Sequence, residues 1–111
     1  MMKKIPSTWS YAEFHAFVML YAASVDGQIT QDEENLIIPT VSPDTYKQIK
    51  ELFQDCDDAD CIDAVLAYKD KYCATQADKD KILADMTSIF KANARFDQIE
   101  KGILQMMKRM I

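Results

Sequence analysis

Glycine and proline are scarce, with two and three copies among 111 residues. An all-β chain draws on both types for its many tight turns, so that class is disfavoured. Histidine occurs once, at position 15. One histidine excludes a His-based metal cluster and a His-Glu-x-x-His site. Cys56, Cys61 and Cys73 are odd in number and lack Cys-x-x-Cys spacing. They suit neither a disulfide framework nor a zinc site. A reducing compartment fits them, and a cytoplasmic location is expected. No run approaches the ~20 apolar residues that span a bilayer. The opening Met-Met-Lys-Lys-Ile-Pro lacks the apolar stretch of a signal peptide, so neither export nor membrane insertion is expected. A Gly-rich phosphate loop and a Gly-x-Ser-x-Gly elbow are also missing. The chain is therefore not expected to be an enzyme.

Positive charge is in deficit. Thirteen Lys and Arg face 18 Asp and Glu, for a net charge of −5. An acidic surface repels phosphate backbones, so a nucleic-acid partner is not expected. Anionic membrane surfaces are disfavoured for the same reason. Apolar residues make up 49% of the chain, which argues against disorder. The length suits one modest core, and residues 1–111 read as a single domain.

Alanine, leucine, lysine, glutamate and methionine supply strong helix formers. Six helices are predicted. The first runs from about Ser10 to Val25, opened by the Ser10/Glu13 spacing of a capping box. Its Phe14, Phe17, Val18, Tyr21 and Val25 recur at helical spacing and form one apolar stripe. The second starts after Thr30, carries Leu36, Ile37 and Ile38, and is limited by Pro39. Ser42-Pro43-Asp44 restarts the chain as a third helix with Tyr46, Ile49, Leu52, Phe53 and Cys56. Asp55, Asp57, Asp58 and Asp60 crowd the next connection and can cap a fourth helix, which carries Ile62, Val65, Leu66 and Tyr72. Thr75 and Asp78 open a fifth, with Ile82, Leu83, Met86, Ile89 and Phe90. Asp97 and Glu100 repeat the capping pattern for a sixth, with Ile103, Leu104, Met107 and Met110.

One phrase occurs twice. Val25-Asp26-Gly27-Gln28-Ile29-Thr30-Gln31-Asp32-Glu33 is echoed by Ala92-Asn93-Ala94-Arg95-Phe96-Asp97-Gln98-Ile99-Glu100. The offset is constant: 93 − 26 and 100 − 33 both equal 67. In each copy an apolar helix stops, one apolar side chain follows, and a capped helix begins. An EF-hand loop is a poor match. With Glu33 at the twelfth position, Gly27 falls at the sixth, but Ser24 and Ala22 fall at the third and first. Ala22 offers calcium no side-chain oxygen.

The pattern Asp26-Gly27-x-Ile29, then Glu33, then Ile37 resembles the signature of the TerB-like family, named for tellurite resistance. Its second copy resembles Asn93-Ala94-x-Phe96, then Glu100, then Leu104. The resemblance implies an all-α, TerB-like compact bundle of about six helices, made of two degenerate helix-loop-helix repeats. It implies a bacterial cytoplasmic protein with a role in stress responses or protein assemblies, and so a protein partner. It also implies a divalent cation (calcium, magnesium or manganese) held by Asp26, Glu33, Asn93 and Glu100. Asn93 stands where the pattern has Asp and Ala94 where it has Gly, so one carboxylate is replaced by an amide carbonyl, which can still ligate calcium.

Architecture alone also accounts for the phrase. Gly27 can take a left-handed turn, Asp26 can cap amides, Ile29 and Phe96 can plug the core, and each Thr/Asp–Glu pair can form a capping box. His15 reads as a partly exposed helix residue. The cysteines read as buried structural thiols. The acidic run 55–60 could attract a cation but reads rather as a solvated connection. Met86, Met106, Met107 and Met110 could line a pliable binding groove but read rather as a helical core stripe. Trp9 and Tyr11 precede the main stripe, and if exposed would anchor a partner.

Overall fold

Each α-helix whose cap position is described begins at a polar side chain that satisfies an otherwise orphaned backbone amide. The computed structural model describes residues 6, 8–25, 29–92 and 98–111. Its helices are α1 Tyr11–Ser24, α2 Gln31–Ile37, α3 Pro43–Gln54, α4 Asp58–Tyr72, α5 Gln76–Lys91 and α6 Gln98–Met110. Among the described residues there is no strand. Ser10, Thr30, Ser42, Asp57 and Thr75 cap α1 to α5 in turn. Glu13, Glu33 and Asp60 return the bond to the cap's own amide, completing three capping boxes. Each cap contributes on the order of 1 kcal/mol. The second helix ends as the sequence suggests, but Pro39 does not end all helical structure. It sits in a single 3₁₀ turn, Ile38–Thr40, at a position where a missing amide hydrogen costs nothing.

α1 is the axis of the molecule. The sequence predicts one apolar stripe, yet residues 14 to 23 are all buried, on every side of the helix. The physical reason is composition: every residue from Ala16 to Ala23 is apolar or aromatic. A helix that is apolar all round belongs in the middle of a core. α2, the 3₁₀ turn, α3, α4 and α5 all pack against α1, and α6 rests on α5. No helix among the described residues is long and apolar enough to cross a membrane.

The lead-in segment is tied down by aromatic residues. Trp9 is 5% exposed, so it is a core residue and not a surface anchor. Its ring lies 5.1 Å from that of Phe17 and 5.6 Å from that of Tyr68. The Trp9 amide donates to the Tyr68 hydroxyl at 3.1 Å, and the Tyr72 hydroxyl donates to the Trp9 carbonyl at 2.5 Å. The Tyr68 hydroxyl in turn donates to the Pro6 carbonyl. A buried tyrosine hydroxyl needs such a partner, and here the need fixes the chain ahead of α1 against α4.

A polar clamp fixes α2, which at 7 residues is too short to hold itself. The Tyr46 hydroxyl and the Lys50 ammonium both donate to Glu34 Oε2 at 2.6 Å, joining α2 to α3. The hydrogen bond from Lys50, then that from Tyr46, holds the Glu34 carboxyl below the usual glutamate range. Burial and the same carboxylate push the Tyr46 phenol well above its ordinary value. This clamp holds α2 to α3, and α2 also packs on α1.

Candidate functional site

Two regions carry candidate chemistry: the repeated phrase and a cleft that the sequence did not indicate. In the phrase, Asp26 and Asn93 lie outside the described residues, as do Gly27, Ala94, Phe96 and Asp97. Ile29 is half-buried and packs on the core. Glu33 and Glu100 are 1% and 3% exposed. Burying a carboxylate this deeply requires compensation. For Glu33 part of it is local, because Oε1 accepts from the Thr30 amide at 2.8 Å and from the Thr30 hydroxyl at 3.1 Å. Glu33 thus acts as the capping acid of α2. Among the described residues, no group of three or more His, Cys, Asp or Glu side chains is arranged to hold a metal.

The cleft lies where α1, α2 and α5 meet and has a volume of about 420 Å³. That is within the ~300–1,000 Å³ range of small-ligand sites. α1 contributes Tyr11, Ala12, His15 and Met19. α2 and the 3₁₀ turn contribute Leu36 and Thr40, and α5 contributes Lys81, Asp85, Ser88 and Ile89. Leu36 is 47% exposed, although the sequence groups it with the apolar part of α2. The clamp orients Ile37 inward, and the helical turn then leaves its neighbour Leu36 at the cleft.

His15 departs most from the sequence reading. It is buried, at 7% exposure, rather than partly exposed. Its Nε2 lies 2.8 Å from Asp85 Oδ2. Lys81 donates to the same oxygen at 3.3 Å, one helical turn along α5. A polar ring on the most apolar helix must find a partner, and α5 supplies it. The Tyr11 ring lies 5.7 Å from the imidazole. Burial, then the Asp85 carboxylate, raises the Tyr11 phenol above its ordinary value.

Chemically, the cleft sets a charged pair and a hydroxyl beside an apolar wall of Met19, Leu36 and Ile89. A His–carboxylate pair next to a serine invites comparison with a nucleophile triad, but the geometry differs. The Ser88 hydroxyl donates to the Ala84 carbonyl of its own helix at 3.2 Å. No nucleophile–base hydrogen bond joins it to His15 among the described residues, as a triad would require. The arrangement offers groups that can bind and orient a ligand.

Two of the three cysteines and the methionines pack as the sequence suggests, whereas Cys56, expected on the third helix, lies just past the end of α3. Cys61 and Cys73 are buried thiols and Cys56 is half-buried, none of them in a disulfide. Burial pushes the Cys61 thiol up to about 12, with the nearby Cys56 and acidic residues of the α4 start adding to it. Met86 and Met107 are fully buried, while Met106 and Met110 are half-buried against the core. Of the acidic run, Asp57 and Asp60 form the α4 capping box at the surface.

Comparison with protein-family models, with curated proteins and with solved structures gave no match to this chain.

Proposed function

We propose that the protein is a non-catalytic binding module, a TerB-like helical unit of two related halves, whose binding face is the cleft between α1, α2 and α5. The observation that carries this reading is the cleft itself: an exposed Leu36 beside an apolar wall, with the His15–Asp85–Lys81 group at its polar side. Exposed leucine next to a concave site is what a partner's apolar group would cover. The resemblance of the repeated phrase to TerB-like proteins supports a role in a bacterial stress-response assembly. The test is affinity capture from stressed cells of the native source, followed by purification of the captured protein. Direct binding that Leu36→Asp weakens by about tenfold or more supports the module, since that change buries a charge in an apolar contact. Equal binding by both forms would remove the cleft as the face.

A second reading has its own observation. Glu33 and Glu100 stand 67 residues apart at equivalent places in the two copies, and both are buried. Buried carboxylates in the first turns of the two matched helices favour a divalent-cation sensor that also draws on Asp26 and Asn93. Calorimetry with calcium, magnesium and manganese decides it. Binding heat that Glu33→Gln and Glu100→Gln both abolish supports the sensor. No heat, and no rise in melting temperature at millimolar metal, removes it.

A further inference from the structure

We infer that the cleft is a site for a free apolar α-amino acid, held as its zwitterion. This rests on reading the cleft as the binding face and goes further by naming the ligand's chemistry.

The head group is indicated by unused valence. Lys81 Nζ carries three donors and among the described residues uses one, on Asp85 Oδ2. Asp85 Oδ2 is also fixed by His15. Asp85 Oδ1 accepts no hydrogen bond among the described residues, although the side chain is only 31% exposed. A donor cation and an acceptor anion thus stand side by side on one helical turn, each with capacity left over. An α-amino acid carries its carboxylate and its ammonium on a single carbon. Its carboxylate can take Lys81 while its ammonium takes Asp85 Oδ1.

Charge balance selects the zwitterion over simpler ligands. Lys81 and Asp85 cancel, so a ligand of no net charge adds none to the site. A lone amine would gain Asp85 but face Lys81, and a lone carboxylate would gain Lys81 but face Asp85. The apolar wall of Met19, Leu36 and Ile89 selects an apolar side chain, and the Thr40 and Ser88 hydroxyls that also line the cleft already donate to the Ile37 and Ala84 carbonyls. Burying it there removes apolar surface of both partners from water. The Tyr11 hydroxyl makes no hydrogen bond among the described residues and can donate to the ligand carboxylate. His15 does not touch the ligand in this scheme; it is a positioning residue that keeps Asp85 turned so that Oδ1 is available.

The test is calorimetry on the full chain with four probes: L-phenylalanine, L-leucine, N-acetyl-L-phenylalanine and L-phenylalanine amide. The acetylated probe mimics a partner's C-terminus, and the amide mimics a partner's N-terminus. Saturable binding of the two free amino acids is expected, with each single-charge probe weaker by about tenfold or more, the loss of one charge-assisted hydrogen bond. Lys81→Met should weaken the free amino acids and leave the amide unaffected or improved. Its side chain is 63% exposed, so folding is not at stake. Asp85→Asn should weaken the free amino acids and leave the acetylated probe unaffected or improved. Single-charge probes that bind as well as L-phenylalanine overturn the inference, as does the absence of saturable binding by any free amino acid. If the latter occurs while Leu36→Asp still disrupts partner capture, the ligand assignment falls and the binding module stands. If phenylalanine binds with the expected charge dependence while capture is indifferent to Leu36→Asp, the ligand assignment stands and the partner face lies elsewhere.

Discussion

The His15–Asp85 bond is a part-buried polar link that joins the central helix to α5, so its removal gives a sharp energetic test. His15 Nε2 and Asp85 Oδ2 are 2.8 Å apart, with side-chain exposures of 9% and 31%. A hydrogen bond to a charged group contributes about 1.5–3 kcal/mol. Asp85→Ala removes the acceptor and leaves the imidazole buried without it, so a loss of about 2 kcal/mol is expected. The unfolding entropy of a chain this long is roughly 230 cal/mol/K, so 2 kcal/mol lowers Tm by roughly 8–9 °C. His15→Ala loses the same bond and adds a small cavity beside Met19, and should cost somewhat more. The two changes must not add. A double-mutant cycle by urea denaturation should give a coupling of about 1–2 kcal/mol. Lys81→Ala separates the surface contribution: its ammonium is 3.3 Å from the same oxygen but 63% exposed, so it should change stability by less than about 0.5 kcal/mol. A His15–Asp85 coupling below about 0.3 kcal/mol would refute the claim that this bond ties α1 to α5.

The Glu34 clamp carries a pH signature. Its folded carboxyl titrates below the ordinary value of 4.5, so the stabilisation is complete above that pH and is lost as pH falls through the lower folded value. Glu34→Gln should therefore flatten the acid limb of a plot of urea stability against pH, and an unchanged limb would count against the clamp. The α2 cap should behave as a local device: Thr30→Ala is expected to cost about 1 kcal/mol, read as a shift in the urea midpoint without a change in slope. Thiol reactivity follows burial and pKa. With iodoacetamide at pH 8, peptide mapping should show Cys56 alkylated well before Cys61, whose thiol is pushed up to about 12, and before Cys73, which burial also raises. Equal rates at the three would mean that α4 opens readily.

Helix starts were legible because caps are local. Ser10 with Glu13 and Thr30 with Glu33 lie three residues apart, so the sequence contains the whole interaction. The buried side chains of the amphipathic helices were also legible, as with Tyr46 and Ile49 on α3 or Ile82 and Met86 on α5, because periodicity reports one face. The number of neighbours around a helix was not legible in that way. The stripe expected on α1 describes one face, yet the helix is buried all round because five segments surround it. Trp9 was misjudged for a related reason, since its burial depends on Tyr68 and Tyr72, some 60 residues away. The cleft escaped altogether. Its polar group joins residues 70 apart, and no short-range pattern encodes such a pair.

One signal for the cleft was nonetheless present in the sequence. His15 interrupts what is otherwise an apolar run from Phe14 to Ala23. On a helix buried on every side, a ring with two nitrogens has no solvent to bind and must bind protein. A polar partner on a neighbouring helix was therefore required, even though its identity was not. Satisfying that partner brings α5 close to α1 at His15, while the Glu34 clamp holds α2 against α3 on the other side. The cleft is the space left between two polar links that fix their helices independently. Its shape accordingly depends on both, and loosening either should alter it. Glu34→Gln and Asp85→Ala, which deletes the acceptor that Asp85→Asn retains, would then act on one cavity from residues in different helices, as local packing alone would not.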